Sequence, residues 1–206
     1  TYADALGGNE NVTSPASNPI SANVPTQTLF GQETPSQINV SDGNGNDGDY
    51  ELGMEFETTK NGQISAIRYW KSPNETGTHT GKIWSSSGQL LASVAFTNET
   101  SSGWQEQALT SPLSIQANNT YIVSVNVNQY YAITSQGLTT TRTNGDIRAV
   151  ADGSNGVFNF TPNTFPFQSF QNENYYRDIV FTPATTNPNN NPGTINVSGT
   201  ATENQI

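Results

Sequence analysis

A loop rich in Asp, Asn and Gly carries the largest set of candidate metal ligands in this chain. Residues 42–51 read Asp-Gly-Asn-Gly-Asn-Asp-Gly-Asp-Tyr-Glu. Ca2+ binds about six to eight oxygen atoms, and Asp and Asn side chains spaced along a Gly-rich loop supply several of them to one ion. The loop therefore predicts calcium as a structural cofactor, with candidate ligands Asp42, Asn44, Asn46, Asp47, Asp49 and Glu51.

The spacing of this loop is not that of an EF-hand, because Gly48 falls one position late and the closing Glu is missing. Gly, Asn and Asp also favour turns because of their own backbone preferences. A solvated turn without a bound ion is therefore the alternative interpretation of residues 42–51.

A second candidate site is an aromatic stretch interrupted by proline. Residues 161–170 read Thr-Pro-Asn-Thr-Phe-Pro-Phe-Gln-Ser-Phe, and the prolines predict a loop. Exposed aromatic rings stack on the apolar C–H faces of sugar rings, while amide side chains hydrogen-bond to sugar hydroxyl groups. The predicted carbohydrate-binding residues are Tyr131, Phe165, Phe167, Gln168 and Asn172. In the alternative interpretation, these rings close the open end of the fold and bind nothing.

Catalytic chemistry has little support in the sequence. The chain has no Cys, which excludes disulfides, thiolate nucleophiles and Cys-based zinc sites. The single histidine, His79, stands in Gly-Thr-His-Thr-Gly without a nucleophile-elbow pattern, so we expect it to hydrogen-bond to nearby backbone. A glycosidase needs two carboxyl groups across a cleft, and Glu55 and Glu57 are predicted to share a strand face. The acidic residues are otherwise scattered, and we expect a non-catalytic protein.

The charge balance restricts the partners. Seven basic residues against seventeen acidic residues give a formal net charge of −10, which repels phosphate backbones and anionic lipids. No run approaches the roughly 18 apolar residues of a membrane span. We therefore expect neither nucleic-acid binding nor membrane insertion, whereas cations and neutral polymers remain as partners. The basic residues are dispersed, and Arg177 is expected to pair with its neighbour Asp178.

The elements that must position these residues are short strands separated by turns. Residues 50–57, 63–71, 81–85, 89–96, 104–109, 120–127 and 175–182 are predicted strands. In 120–127 the odd-numbered residues are predicted to share one face, and in 89–96 the even-numbered residues, which separates Leu90 from Leu91. No amphipathic helix is indicated. The pattern predicts an all-β, two-sheet antiparallel sandwich.

Composition divides the chain into four parts. Residues 1–26 are polar and predict an extended arm or linker, and residues 27–183 form the predicted sandwich domain. Residues 184–193 are rich in Pro and Asn and predict a linker. Residues 194–206 form a strand-like tail, which resembles the start of an immunoglobulin-like repeat of bacterial surface proteins.

Five motifs resemble a known bacterial family. They are Glu-Leu-Gly-Met-Glu-Phe at 51–56, Ile-Arg-Tyr-Trp-Lys at 67–71, Gly-Thr-His-Thr-Gly at 77–81, Phe-Thr-Asn-Glu-Thr at 96–100 with Gly-Trp at 103–104, and Tyr-Arg-Asp-Ile-Val-Phe at 176–181. Their order over about residues 50–183 resembles the "domain of unknown function 4082" family. The resemblance favours a jelly-roll-like sandwich and implies an exported protein, either secreted or at the cell surface.

Two functions are compatible with these observations. The first is a module that binds a glycan or cell-wall polymer through loop aromatic residues. The second is a structural subunit of an extracellular filament or adhesin array, which associates with further copies through its terminal arms.

Overall fold

The computed structural model describes residues 24–41 and 49–185. In this part of the chain all regular structure is β-strand, so no helix is present that could span a membrane. The strands are β1 (Gln37–Val40), β2 (Tyr50–Thr58), β3 (Gly62–Lys71), β4 (Thr80–Ser85), β5 (Leu90–Ala95), β6 (Gly103–Ile115), β7 (Tyr121–Val127), β8 (Tyr131–Ile133), β9 (Thr143–Asn144), β10 (Ile147–Ala149), β11 (Val157–Asn159), β12 (Gln168–Ser169) and β13 (Arg177–Pro183).

Six strands form three nested antiparallel pairs. β4 pairs with β5, β3 with β6, and β2 with β7, so one run of three strands is folded back along another. The pairs alternate between two sheets. β2, β7, β4 and β5 lie in the larger sheet, where β4 also pairs with β7, and β3 and β6 lie in the smaller one. This wrapping is that of a jelly roll. The predicted all-β, jelly-roll-like sandwich is confirmed.

The larger sheet has the order β12-β11-β2-β7-β4-β5, with β10 and β9 attached beyond β2. The smaller sheet has the order β13-β3-β6, and β1 and β8 form a separate two-stranded ribbon. Side chains of both sheets meet in one core, with Phe56 and Val123 from the larger sheet and Ile67 and Phe181 from the smaller one. Burial of this apolar surface is the main favourable contribution to folding.

The strand β7 is buried on both faces. Its odd-numbered residues face the core, and Ile122 packs on the opposite face with Trp84 and Val157. The loop between β11 and β12 covers this outer face, with Phe165 packed against the same cluster. The larger sheet is therefore a middle layer at this point.

The predicted alternation in β5 is wrong at Leu90. Ile83 of β4 pairs with Ala92, and the next residue, Trp84, pairs with Leu90, so Leu91 is an extra residue in β5. As a result Leu90 is 48% exposed, while Leu91 packs against the core. A β-bulge reverses the facing of side chains beyond it, and hydrophobic alternation does not reveal it.

The strand β6 extends six residues beyond its predicted end at 109. It contains Pro112, which lies within a register shift between Ala108 and Leu113 and therefore opposes no ladder partner. β6 is also an edge strand of its sheet. Both conditions allow a strand to contain proline, which has no N–H to donate.

A buried carboxylate attaches the segment before β1 to the smaller sheet. Asp178 is fully buried and accepts hydrogen bonds from the backbone N–H groups of Leu29 and Phe30, at 2.8 and 3.1 Å. Arg68 donates to the same carboxylate at 3.1 Å and to the carbonyl of Gly31 at 2.9 Å. One ion pair therefore connects β3, β13 and the incoming chain.

Arg177 does not pair with Asp178, which corrects the sequence-based prediction. Neighbouring residues on a strand project to opposite faces. Arg177 instead donates to the backbone carbonyls of Tyr175 and Val125, and its guanidinium carbon lies 5.6 Å from the ring centre of Tyr69.

The substitution Asp178→Asn is expected to lower the free energy of unfolding by about 3–5 kcal/mol, because it removes the buried carboxylate that pairs with Arg68 and leaves that arginine only the exposed Glu106. Chemical unfolding in urea measures this change. The matched control is Lys60→Met, which removes the Lys60–Asp146 pair, whose lysine side chain is 59% exposed. The control should cost about 0–1 kcal/mol. Equal costs for the two variants would show that Asp178 is not a structural anchor.

Candidate functional site

An aromatic cleft opens where β2 begins and β7 ends. Its volume is about 230 Å3. The lining consists of six aromatic rings, three aliphatic side chains and one carboxyl group: Tyr50, Tyr131, Phe158, Phe160, Phe170, Tyr175, Val40, Leu52, Ile133 and Glu173. β1, β2, β8, β11 and the loop before β13 each contribute side chains, so the cleft depends on the complete fold.

Ring-to-ring contacts hold the aromatic residues in place. The ring of Tyr50 contacts those of Tyr131, Phe158 and Phe160, with centroid distances of 6.0, 6.4 and 5.8 Å. Phe158 and Phe160 meet edge to face at 5.2 Å. Such perpendicular contacts are the favoured geometry for aromatic pairs. The cleft is therefore preformed rather than assembled around a ligand.

The floor and the rim of the cleft differ in exposure. Leu52 and Tyr175 are buried at the floor, whereas Phe160 is 62% exposed and Phe170 is 54% exposed. Two exposed large apolar side chains that line the same opening are more informative than exposed residues scattered singly over a surface.

Glu173 is the one charged residue of the lining. Its side chain is buried, and it accepts a hydrogen bond from the Ser135 hydroxyl at 3.2 Å. Burial raises the pKa of Glu173, and hydrogen bonds from Ser135 and Tyr175 act in the opposite direction without reversing it. A carboxyl group thus faces the aromatic cleft with few partners in the protein.

All seven basic side chains lie in the described part of the chain, and all contact other groups. Six of them form ion pairs with carboxylates: Lys60–Asp146, Arg68–Asp178, Lys71–Glu99, Lys82–Glu51, Arg142–Glu33 and Arg148–Glu57. Arg177 binds backbone carbonyls. No Lys or Arg of the described residues therefore neutralises Glu173.

The predicted carbohydrate-binding residues are distributed over different environments. Tyr131 lines the cleft, and Gln168 pairs in β12 with Phe158 of the lining. Phe165 packs against Trp84 at 5.8 Å on the outer face of the larger sheet. Phe167 is 68% exposed outside the cleft lining. Asn172 lies in the loop before β13, with a φ of 52°.

The rim residues Phe160 and Phe170 were not among the carbohydrate-binding residues predicted from the sequence. Phe170 stands in the same aromatic stretch as Phe165 and Phe167, so composition alone gave no reason to prefer it. The pairing of β11 with the start of β2 brings Phe160 beside Tyr50, and this long-range register could not be read from local sequence.

The predicted calcium ligands lie mostly outside the described residues, namely Asp42, Asn44, Asn46 and Asp47. Of the other two, Asp49 is exposed, and Glu51 is buried and accepts hydrogen bonds from Lys82, Ser124 and the backbone N–H of Asn163. Within residues 24–41 and 49–185, no three His, Asp or Glu side chains form a candidate metal site. The calcium site stays a prediction.

His79 lies at the centre of a buried ionic cluster. Its Nε2 is 2.9 Å from Glu75 and its Nδ1 is 2.9 Å from Glu99, which also accepts a 2.6 Å hydrogen bond from Lys71. Burial by itself lowers the pKa of His79, but the hydrogen bonds and charges of the two carboxylates outweigh it and raise that pKa. The histidine therefore contacts side-chain carboxylates rather than the backbone groups expected from the sequence.

This cluster also supports the aromatic cleft. Glu75 accepts hydrogen bonds from the backbone N–H groups of Asn128, Gln129 and Tyr130, at 2.6, 3.1 and 2.6 Å. The turn that these bonds fix leads directly into Tyr131 of the lining. His79 thus acts as a positioning residue, because its contact with Glu75 orients the group that holds the turn.

Glu55 pairs with Asp152 rather than with Glu57. Burial, together with the charge and the hydrogen bond of Asp152, raises the pKa of Glu55 to about 7. Glu57 instead binds Arg148 and Thr120, and those contacts lower its pKa. Neither Glu55 nor Asp152 lines the aromatic cleft.

Nested antiparallel pairs and an aromatic cleft define the chain as a β-sandwich module of the jelly-roll type. It belongs to the family described as Domain of unknown function (DUF4082), whose model matches residues 32–177. The resemblance inferred from the five motifs is thereby confirmed. A comparison with curated proteins finds no match.

The substitution Glu55→Gln is expected to raise the free energy of unfolding more at pH 8 than at pH 5. The folded pKa of about 7 exceeds the ordinary value of 4.5, so the contribution of Glu55 is complete below pH 4.5 and is lost as pH rises through 7. Gln removes that loss, and we expect a gain of about 1 kcal/mol at pH 8 after allowance for solvent screening. Urea unfolding at both pH values measures it. An identical effect at the two values would contradict the assignment.

The substitution His79→Gln is expected to cost about 3–5 kcal/mol near pH 5.5, because it breaks a buried charge cluster. The histidine contribution is complete below pH 6.5 and is lost as pH rises through its higher folded pKa. The contributions of Glu75 and Glu99, whose pKa values are lowered, are complete above pH 4.5 and are lost as pH falls. Urea unfolding should therefore show a larger cost near pH 5.5 than at pH 9. A cost independent of pH would argue against a charged cluster.

Proposed function

We propose that the protein is a non-catalytic, exported module that binds a carbohydrate or another cell-surface polymer in the aromatic cleft. The observation that carries this proposal is the preformed set of six rings, two of them exposed at the rim, around a single carboxyl group. Binding sites for small molecules are mostly apolar and aromatic, with a few polar groups that orient the ligand.

The size of the cleft favours a small repeating unit. Its volume of about 230 Å3 is below the roughly 300–1,000 Å3 of sites that enclose a drug-sized ligand. One sugar ring inserted between Phe160 and Phe170 would place its apolar C–H face on aromatic carbon, with the rest of the polymer outside. An open cleft suits an internal unit of a chain, because both neighbours of that unit can leave the site.

The charge distribution favours a ligand that is neutral or positive. The formal net charge is −10, and the basic side chains are engaged by carboxylates or carbonyls. An anionic polymer would therefore meet repulsion without a compensating cation. The proposal includes calcium as a structural ion. The predicted calcium-binding loop lies in the sequence between Val40 and Tyr50, which both line the cleft.

Retention on insoluble polysaccharides tests the proposal. The probes are cellulose, chitin, chitosan and purified peptidoglycan, each with calcium and with a chelator. The double variant Phe160→Ala/Phe170→Ala should bind at least about tenfold more weakly than the parent, a loss of about 1.4 kcal/mol. The control Phe167→Ala removes a more exposed ring outside the lining and should bind like the parent. If the parent is retained on none of these polymers, the proposal fails.

A structural role in a filament or array is the second candidate, and the edge strand β5 favours it. β5 pairs on one side with β4, and its residues Leu90–Ala95 include neither a charged side chain nor a proline. An uncharged edge can accept a strand from another chain. The arm of a second copy is the partner in this proposal.

Negative-stain electron microscopy of the parent and of Leu90→Lys tests this second role. A charge on the edge should abolish filaments, whereas Ile38→Lys, at a side chain with the same 48% exposure, should leave them intact. Dispersed particles for the parent at high concentration would contradict assembly through β5.

A further inference from the structure

Resting on the proposed function, we propose that the unit bound in the aromatic cleft carries a primary ammonium group, which pairs with Glu173. The ligand class is therefore a polymer that contains amino sugars with free amines. Three features of the cleft support this assignment: a buried carboxyl group, the absence of a cation beside it among the described residues, and the aromatic rings around it.

The first feature is the carboxyl group itself. Glu173 is 8% exposed and lines the cleft. Its partners in the described residues are neutral hydroxyl groups, those of Ser135 and Tyr175. Burying an acidic group is costly unless a partner compensates, and two hydroxyl groups satisfy only part of the capacity of a carboxylate, which has about four acceptor positions.

The second feature is the absence of a counter-ion. Each Lys and Arg of the described residues contacts other groups, and His79 lies between Glu75 and Glu99. Within residues 24–41 and 49–185, the carboxyl group of the cleft therefore has no cation, unlike the buried carboxylates Glu51 and Asp178. A cationic ligand would supply the missing charge.

The third feature is the ring environment. Aromatic faces carry negative electrostatic potential and attract cations within about 6 Å. Tyr175 contacts Tyr131 at 6.2 Å, and both rings line the cleft with Glu173. The rings and the carboxylate therefore favour the same sign of charge in the bound group.

The protein uses this combination twice for its own cations. Arg68 pairs with Asp178 while its guanidinium lies 4.5 Å from the ring centre of Trp104. Arg142 pairs with Glu33, and its guanidinium lies 5.9 Å from a neighbouring phenylalanine ring. Each of these sites contains a carboxylate, an aromatic face and a cation. The cleft contains the first two, and the ligand would provide the third.

The carboxyl group selects between two kinds of ammonium. A primary ammonium donates up to three hydrogen bonds, so it can bind the free acceptor positions of Glu173 directly. A quaternary ammonium, such as that of choline, has no proton to donate and would use the rings alone. Glu173 therefore favours an amino sugar over a choline-bearing group.

Isothermal titration with defined ligands tests this inference. The probes are a chitosan tetramer with free amines, the fully N-acetylated chitin tetramer, phosphocholine and tetralysine. The parent should bind the chitosan tetramer at least about tenfold more tightly than the chitin tetramer. Tetralysine, which has the charges without sugar rings, should not compete. The substitution Glu173→Gln should bring the affinity for the chitosan tetramer to that for the chitin tetramer.

The control Glu106→Gln changes net charge by the same amount at a side chain that is 58% exposed, and it should keep the preference for chitosan. Equal affinity of the parent for both tetramers would overturn the ammonium assignment while leaving glycan binding intact. Stronger binding of phosphocholine would also overturn the ammonium assignment, and competition by tetralysine would overturn the assignment of an amino sugar as the ligand. Binding of neither tetramer, with no retention on any polysaccharide, would instead remove the proposed function itself. The comparison of the two tetramers requires no variant, so it stands even if Glu173→Gln fails to fold.

Discussion

Buried charges that are paired with opposite charges hold this sandwich together. The motifs that resembled the family supply opposite halves of these pairs: Arg68 of one motif meets Asp178 of another, and His79 of a third meets Glu99 of a fourth. Removing one member of such a pair costs more than the pair contributes, because the remaining charge stays buried. The pairs also join segments that are distant in sequence, and therefore restrict which strands can lie side by side.

These buried charges also position part of the candidate binding site. His79 contacts Glu75, and Glu75 holds the turn that leads into Tyr131. On the other wall, the pairing of β11 with β2 brings Phe160 against Tyr50. The cleft is therefore a product of the folded frame rather than of one loop. Its preformed rings reduce the conformational entropy that a ligand must overcome on binding.

Much of the strand content was predictable, because alternation and β-branched residues are local signals. All seven predicted strands are present, with ends that shift by at most six residues. Features set by long-range register were not predictable. The bulge that exposes Leu90, the contact of Arg177 with the carbonyl of Val125, and the separation of Phe165 from the cleft all depend on neighbouring strands. The opposite facing of Arg177 and Asp178, by contrast, follows from strand alternation and could have been predicted. For the candidate cleft, the sequence indicated the aromatic residue type and one lining residue, Tyr131, but not the rim residues or Glu173, and carbohydrate binding by the predicted residues stays a prediction.

We propose above all that the aromatic cleft receives a sugar unit. Titration of the isotopically labelled protein with saccharide oligomers, followed by two-dimensional 1H–15N nuclear magnetic resonance, tests it most directly. We predict saturable shifts of the backbone amide signals of Tyr131, Phe160, Phe170 and Glu173, with little change around Phe167. Shifts confined to other surfaces, or no shifts with any saccharide that the protein retains, would contradict it.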